Sequence, residues 1–209
     1  MTIPLAYKMG TEMYKVIGHK NNRTLRVLWA LEEMSQSYEL VEAQPRSDTA
    51  KLYSNNAKVP SLQVGDTIIN DSLAIIEFLA DKHQMLTFTA GTIERAKQDS
   101  FTFLILDEIE GALWTAAKHS FVLPEKLRVP EVKAACKYDF DNALNTLADR
   151  LGTQKYLMGD KFTIPDLVMG HCALWANKAG FKIENPKIQR YLEAILNRKA
   201  LINIISSSI

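Results

Sequence analysis

Cysteine is scarce in this 209-residue chain: Cys136 and Cys172 are the two present. They lie far apart, so they build no disulfide framework, no C-x-x-C redox pair and no zinc knuckle. Reduced thiols in a cytoplasmic protein are the expectation. Charge of one sign is missing too. Twenty-five Lys and Arg stand against 24 Asp and Glu, a net +1 with neutral His. That balance argues against a large phosphate-binding surface, and no nucleic-acid partner is expected. Long apolar runs are absent. The stretch Leu167–Ala176 is too short to span a bilayer and contains His171. Residues Met1–Gly10 lack the basic start and apolar core of a signal peptide. A soluble, intracellular protein without a membrane partner is predicted.

What is present is globular: 47% of residues are apolar and 23% charged, which excludes collagen-like and disordered readings. Residues 1–12 show no clear period and read as an extension. Tyr14–Gly18 and Tyr38–Glu42 read as strands. Between them Leu25, Leu28, Trp29 and Leu31–Met34 recur at helical spacing, with Asn21 or Asn22 as N-cap. A polar loop from Gln44 to Asn56 follows. Ser61–Val64, a Gly65-Asp66 turn and Thr67–Asn70 form a hairpin, and Ser72 opens another helix. The order is β-α-β, then β-β-α. After a linker from Gln84 to Thr92 only helical patterns remain: 93–121, 131–151, one from Thr163, and shorter ones over 186–197 and the C-terminus. Strands confined to the first part predict an α/β domain over 13–86 and an all-helical domain over 93–209, divided near residue 87.

Three motifs carry chemistry. Lys58-Val59-Pro60 enters the hairpin; a cis Val59–Pro60 bond would leave the Val59 N–H and C=O free for a peptide-like ligand, whereas a trans bond is an ordinary strand start. Asn70-Asp71-Ser72 sits where strand meets helix. Ser72 as N-cap, with the free N–H groups behind it, suits a carboxylate, and Asp71 suits an ammonium group. Taken alone, the pair is better explained by simple helix capping. Thr163-Ile-Pro-Asp166 is a capping box with Pro165 in the first turn, so Asp166 is read as structural and not catalytic.

In this order the elements resemble the cytosolic glutathione S-transferases, over nearly the whole chain from about Tyr14. The markers are Arg26–Glu33, Lys58–Leu62, Asn70–Ile75 and the box at Thr163–Asp166. The resemblance implies a thioredoxin-like N-terminal domain followed by an all-helical domain. It implies glutathione as co-substrate, a small hydrophobic electrophile, a homodimer and no metal. By it, Pro60 is cis, Val59 pairs with the cysteinyl part of glutathione, Asp71 and Ser72 hold the γ-glutamyl end, and Lys58 approaches the glycyl carboxylate. Trp114, Lys118, His119 and Phe121 line the electrophile pocket.

One position departs from the pattern. The bacterial and theta-like members, which the chain is similar to, carry a Ser or Cys early in S-P-x-S-R-x-x-R. Here the stretch reads Gly18-His-Lys-Asn-Asn-Arg-Thr-Leu-Arg26, and Asn22 occupies the hydroxyl position. A thiol near pKa 8.5 needs modest stabilisation as thiolate at neutral pH. The Asn22 amide, a backbone N–H at Asn22 or Arg23, or the Thr24 hydroxyl could supply it. Asn22 as a plain cap is the competing explanation. Two functions are therefore expected: a glutathione transferase, or a non-catalytic glutathione-binding protein or interaction module of the same fold. Cys136 and Cys172 are read as unreactive thiols.

Overall fold

The structure, a computed structural model, describes residues 13–207; the extension expected over residues 1–12 lies outside them. The N-terminal part runs β1 (Tyr14–Gly18), α1 (Thr24–Glu33), β2 (Tyr38–Glu42), α2 (Asp48–Tyr53), β3 (Ser61–Val64), β4 (Thr67–Asn70) and α3 (Ser72–His83). The strands form one mixed sheet in the order β2-β1-β3-β4. β1 is parallel to β2 and antiparallel to β3, and β3 is antiparallel to β4. This is the thioredoxin-like domain the sequence implied. Helix α2 corrects the loop expected over Gln44–Asn56. It has only six residues, and the Ser47 hydroxyl caps it by accepting from Ala50 N at 3.1 Å.

The rest is helical: α4 (Ile93–Leu104), α5 (Gly111–Ala117), α6 (Val132–Leu151), α7 (Ile164–Ala179), α8 (Pro186–Leu196) and α9 (Lys199–Ser206). The helix expected over 93–121 is one continuous run, but it widens into π-helical turns at Ile105–Glu110 and Lys118–Val122. Among the described residues no helix is long and apolar enough to cross a membrane.

Helix α1 joins the two parts. Thr24 through Leu31 are all buried, because the sheet covers one side and the helices the other. Trp29 is fully buried, and a Cβ on Gly170 of α7 would come within 2.8 Å of its ring. Only a glycine lets α7 approach that closely. Helix α9 then lies along α1, held at both ends. Arg198, at its start, makes a two-pronged ion pair with Glu33 at 2.6 Å on each arm. At its other end Lys20 Nζ donates to the carbonyls of Ile204 (3.4 Å) and Ser207 (2.6 Å). Arg198 also lies 4.0 Å over the Phe162 ring.

The box at the start of α7 forms as read. The Asp166 carboxylate accepts from Thr163 N (2.8 Å), Thr163 Oγ1 (3.1 Å), Leu157 N (2.9 Å) and Tyr191 Oη (2.9 Å). Burial pushes its pKa up to about 6, against the pull of these donors.

Candidate functional site

The sheet register brings three loops to one end. Ser61 pairs with Ile17 on one side and Asn70 on the other. The chain just beyond each partner therefore meets there: Gly18–Asn22 after β1, Val59–Pro60 before β3 and Asp71–Ser72 after β4. The N-termini of α1 and α3 point to the same end, where the positive ends of their dipoles favour anions.

The β1–α1 turn is built around Thr24. Gly18 has φ 151°, and a Cβ there would sit 2.0 Å from Thr24 Oγ1. Into that gap Thr24 Oγ1 accepts from His19 N at 3.3 Å and donates to Asn22 Oδ1 at 2.7 Å. Asn22 Oδ1 also accepts from Thr24 N at 2.9 Å. Thr24 is therefore withdrawn as a donor to a ligand: it is fully buried and its hydroxyl is committed to the turn. The Asn22 carboxamide oxygen is committed as well, while its amide group makes no hydrogen bond among the described residues, and the residue is part-exposed.

At the second loop the Val59–Pro60 bond is cis. Lys58 is exposed beside it, with its N–H donated to Asn56 Oδ1 at 3.2 Å. At the third, the cap of α3 is Asp71 and not Ser72. Asp71 takes φ 78°, and its carboxylate accepts from Leu73 N (2.8 Å) and Ala74 N (3.3 Å). Ser72 is the first helical residue, buried, and its hydroxyl accepts from Arg26 Nη1 at 3.4 Å. A carboxylate reaches two N–H groups where a serine one step later does not, which is why the cap falls on Asp71.

Behind these loops lies a charged cluster that sequence reasoning did not find. Arg26 is 1% exposed. Its Nη2 donates to Glu110 Oε2 at 2.6 Å and contacts His171 Nδ1 at 3.1 Å and Cys172 Sγ at 3.6 Å. Its Nε has no partner among the described residues. Glu110 also accepts from Arg23 Nε. Burial raises the Glu110 pKa, but the two guanidinium groups outweigh it and hold the carboxyl below its usual range. His171, buried beside Arg26 and Arg23, is kept well below the usual imidazole pKa and stays neutral. It also hydrogen-bonds the Asn22 backbone. Burial pushes the Cys172 thiol up to about 12, so it is no nucleophile.

Of the four pocket candidates, the structure brings Trp114 to this place. Arg23 lies 5.1 Å over the Trp114 ring and 5.2 Å over that of Trp175, and the two indoles meet edge to face at 6.5 Å. Of the other three, Lys118 is half-buried one turn beyond Trp114 on the same run, His119 Nδ1 accepts from Val129 N at 3.0 Å, and Phe121 is 69% exposed. Glu110, His171 and Trp175 were missed. Their signal was faint: an acid and a histidine inside otherwise apolar helical runs. Among the described residues no group of three or more His, Cys, Asp or Glu is arranged to hold a metal.

Comparison with known proteins adds the following. Residues 23–86 match the family Glutathione S-transferase, N-terminal domain, and residues 107–199 match Glutathione S-transferase, C-terminal domain. The chain is 27% identical over 195 residues to glutathione S-transferase F13 of Arabidopsis thaliana, covering 86% of this chain and 88% of that one. In structure it is similar to glutathione transferase F7 of Populus trichocarpa (TM-score 0.78, 21% identity, 92% and 97% covered). It is also similar to glutathione transferase URE2P6 of Phanerochaete chrysosporium, solved in complex with oxidized glutathione (TM-score 0.80, 22% identity, 93% and 95% covered).

Proposed function

That this chain belongs to the glutathione S-transferase family is the premise from which we propose that it binds glutathione at the three-loop end of its sheet and directs the thiolate at small electrophiles. One observation carries the reading. The Asn22 carboxamide is oriented by Thr24 through its oxygen, which leaves its N–H groups as donors at the positive end of α1. A glutathione thiol has a pKa near that of free cysteine, about 8.5. A hydrogen bond from Asn22 lowers it toward neutrality, and the positive end of α1 adds about 0.3–1 kcal/mol in the same direction. Arg23 and Arg26 share the single Glu110, and this excess of positive charge works in the same direction. The Val59 backbone pairs with the cysteinyl amide, Ser72 and the α3 N-terminus hold the γ-glutamyl carboxylate, Asp71 meets its ammonium group, and Lys58 approaches the glycyl end. Asn22 thus stands where serine-type members of the family carry a hydroxyl.

Calorimetric titration with glutathione, paired with a thiolate absorbance titration, tests this. Binding with a thiol pKa lowered by about one unit, lost in Asn22→Ala, supports the transferase. Binding with an unshifted pKa leaves the carrier reading, and no binding removes both. The same proposal includes a homodimer, for which exposed Leu52, Ile93 and Phe103 offer apolar surface; sedimentation measures it directly.

A further inference from the structure

We propose that the Arg23, Trp114 and Trp175 cluster selects planar aromatic molecules that carry an anionic group, such as a carboxylate or sulfonate, as the ligand beside glutathione. This deepens the preceding reading and rests on it for the role of the ligand as co-substrate.

Three observations combine. The first is charge. Arg23 and Arg26 share Glu110, and no other carboxylate among the described residues lies within ion-pair distance of either. Two cations against one anion leave one positive charge in a place where burial weakens solvent screening. Asp107 and Glu108, just before Glu110 on the same run, are exposed to water and act weakly. His171 is neutral and adds no charge of its own.

The second is shape. A guanidinium held against two indoles is a flat, polarisable wall, and aromatic rings stack on such faces. The third is access. Arg26 is sealed, but the Arg23 side chain is 32% exposed and Trp114 is 36% exposed. Arg23 therefore has N–H groups to offer beyond the one it gives Glu110, on the outer side of the cluster and one residue from Asn22. A ring lying on Trp114 would place its anionic substituent against that guanidinium fork.

Calorimetric titration of 3-nitrobenzoate and of nitrobenzene, each without glutathione, tests the proposal. Binding of the benzoate is expected to be about tenfold tighter than that of the neutral ring. Arg23→Gln should bring the two within about twofold, and Arg23→Lys should keep most of the difference, because the charge survives. Trp114→Leu should weaken both. Circular dichroism melting of each variant checks that it is folded. Equal affinity of the two probes in the unaltered protein, an unchanged ratio in Arg23→Gln, or no measurable binding of either would overturn the proposal. A failure to bind glutathione in a separate titration would instead sink the preceding reading, and the aromatic titrations stand apart from it.

Discussion

Two carboxylates are buried in this protein, and they are held in opposite ways. Asp166 sits at the foot of α7 and accepts four hydrogen bonds, all from neutral donors. Glu110 sits between the sheet and the helices and accepts from two arginines. Burial dominates at Asp166 and raises its pKa to about 6; at Glu110 the cations prevail and lower it. A carboxylate that braces a helix can titrate close to neutral pH. One that gathers charge for a cleft must remain ionised.

The largest expected effect comes from Glu110→Gln. It leaves Arg26 buried without its counter-ion, and a loss of about 3–5 kcal/mol in urea unfolding follows. A loss under about 1 kcal/mol would show that water or other groups solvate Arg26 and that the contrast between the two sites is unfounded.

The second test uses pH. The folded pKa of Asp166, about 6, exceeds the unfolded value of about 3.9. Its contribution to stability is therefore fully present below about pH 4 and is lost as pH rises through 6, a change of at most about 3 kcal/mol. Glu110 has the reverse sign: its lowered pKa gives stability at neutral pH that is lost on acidification. Comparing the unaltered protein with Asp166→Asn should show a stability gap wider at pH 4 than at pH 7. A gap independent of pH would remove the distinction.

Smaller effects refine the cluster. His171→Phe deletes the contact to Arg26 and the bond to the Asn22 backbone, costing about 1–2 kcal/mol in thermal unfolding, with part recovered in His171→Asn. No change at all would mean that Asn22 is held by its own turn alone. Thr24→Val keeps the shape and removes two hydrogen bonds of that turn, for about 1 kcal/mol. A neutral result there would place the rigidity of the turn in the Gly18 contact instead.

The same contrast explains what could be read from the chain beforehand. Asp166 was legible because its box is local: Thr163, Pro165 and Asp166 fall within one turn. The hairpin was legible for the same reason, since the Gly65-Asp66 turn acts between neighbours. Helix α2 was not, because six residues between Pro45 and Asn55 are too few to display a period. Neighbouring Asp71 and Ser72 are both good cap residues, and only the folded backbone, with φ 78° at Asp71 and two N–H groups within reach of its carboxylate, decides between them. The Glu110 cluster was invisible because its partners come from three distant helical segments. Arg26 belongs to a family marker, yet nothing in the spacing of Leu25, Arg26 and Val27 says that the guanidinium ends up sealed.

Lys20 ties the last turn of α9 to the turn that carries Asn22. Helix ends open more readily than cores, and hydrogen exchange reads that opening as a free energy. Each time the end of α9 unwinds, Lys20 loses both carbonyls, and the β1–α1 turn relaxes with it. The amides of His19 to Asn22 should therefore exchange with the same opening energy as those of Asn203 to Ser206. Equal opening energies would make the two segments, almost the full length of the chain apart, one cooperative unit of motion.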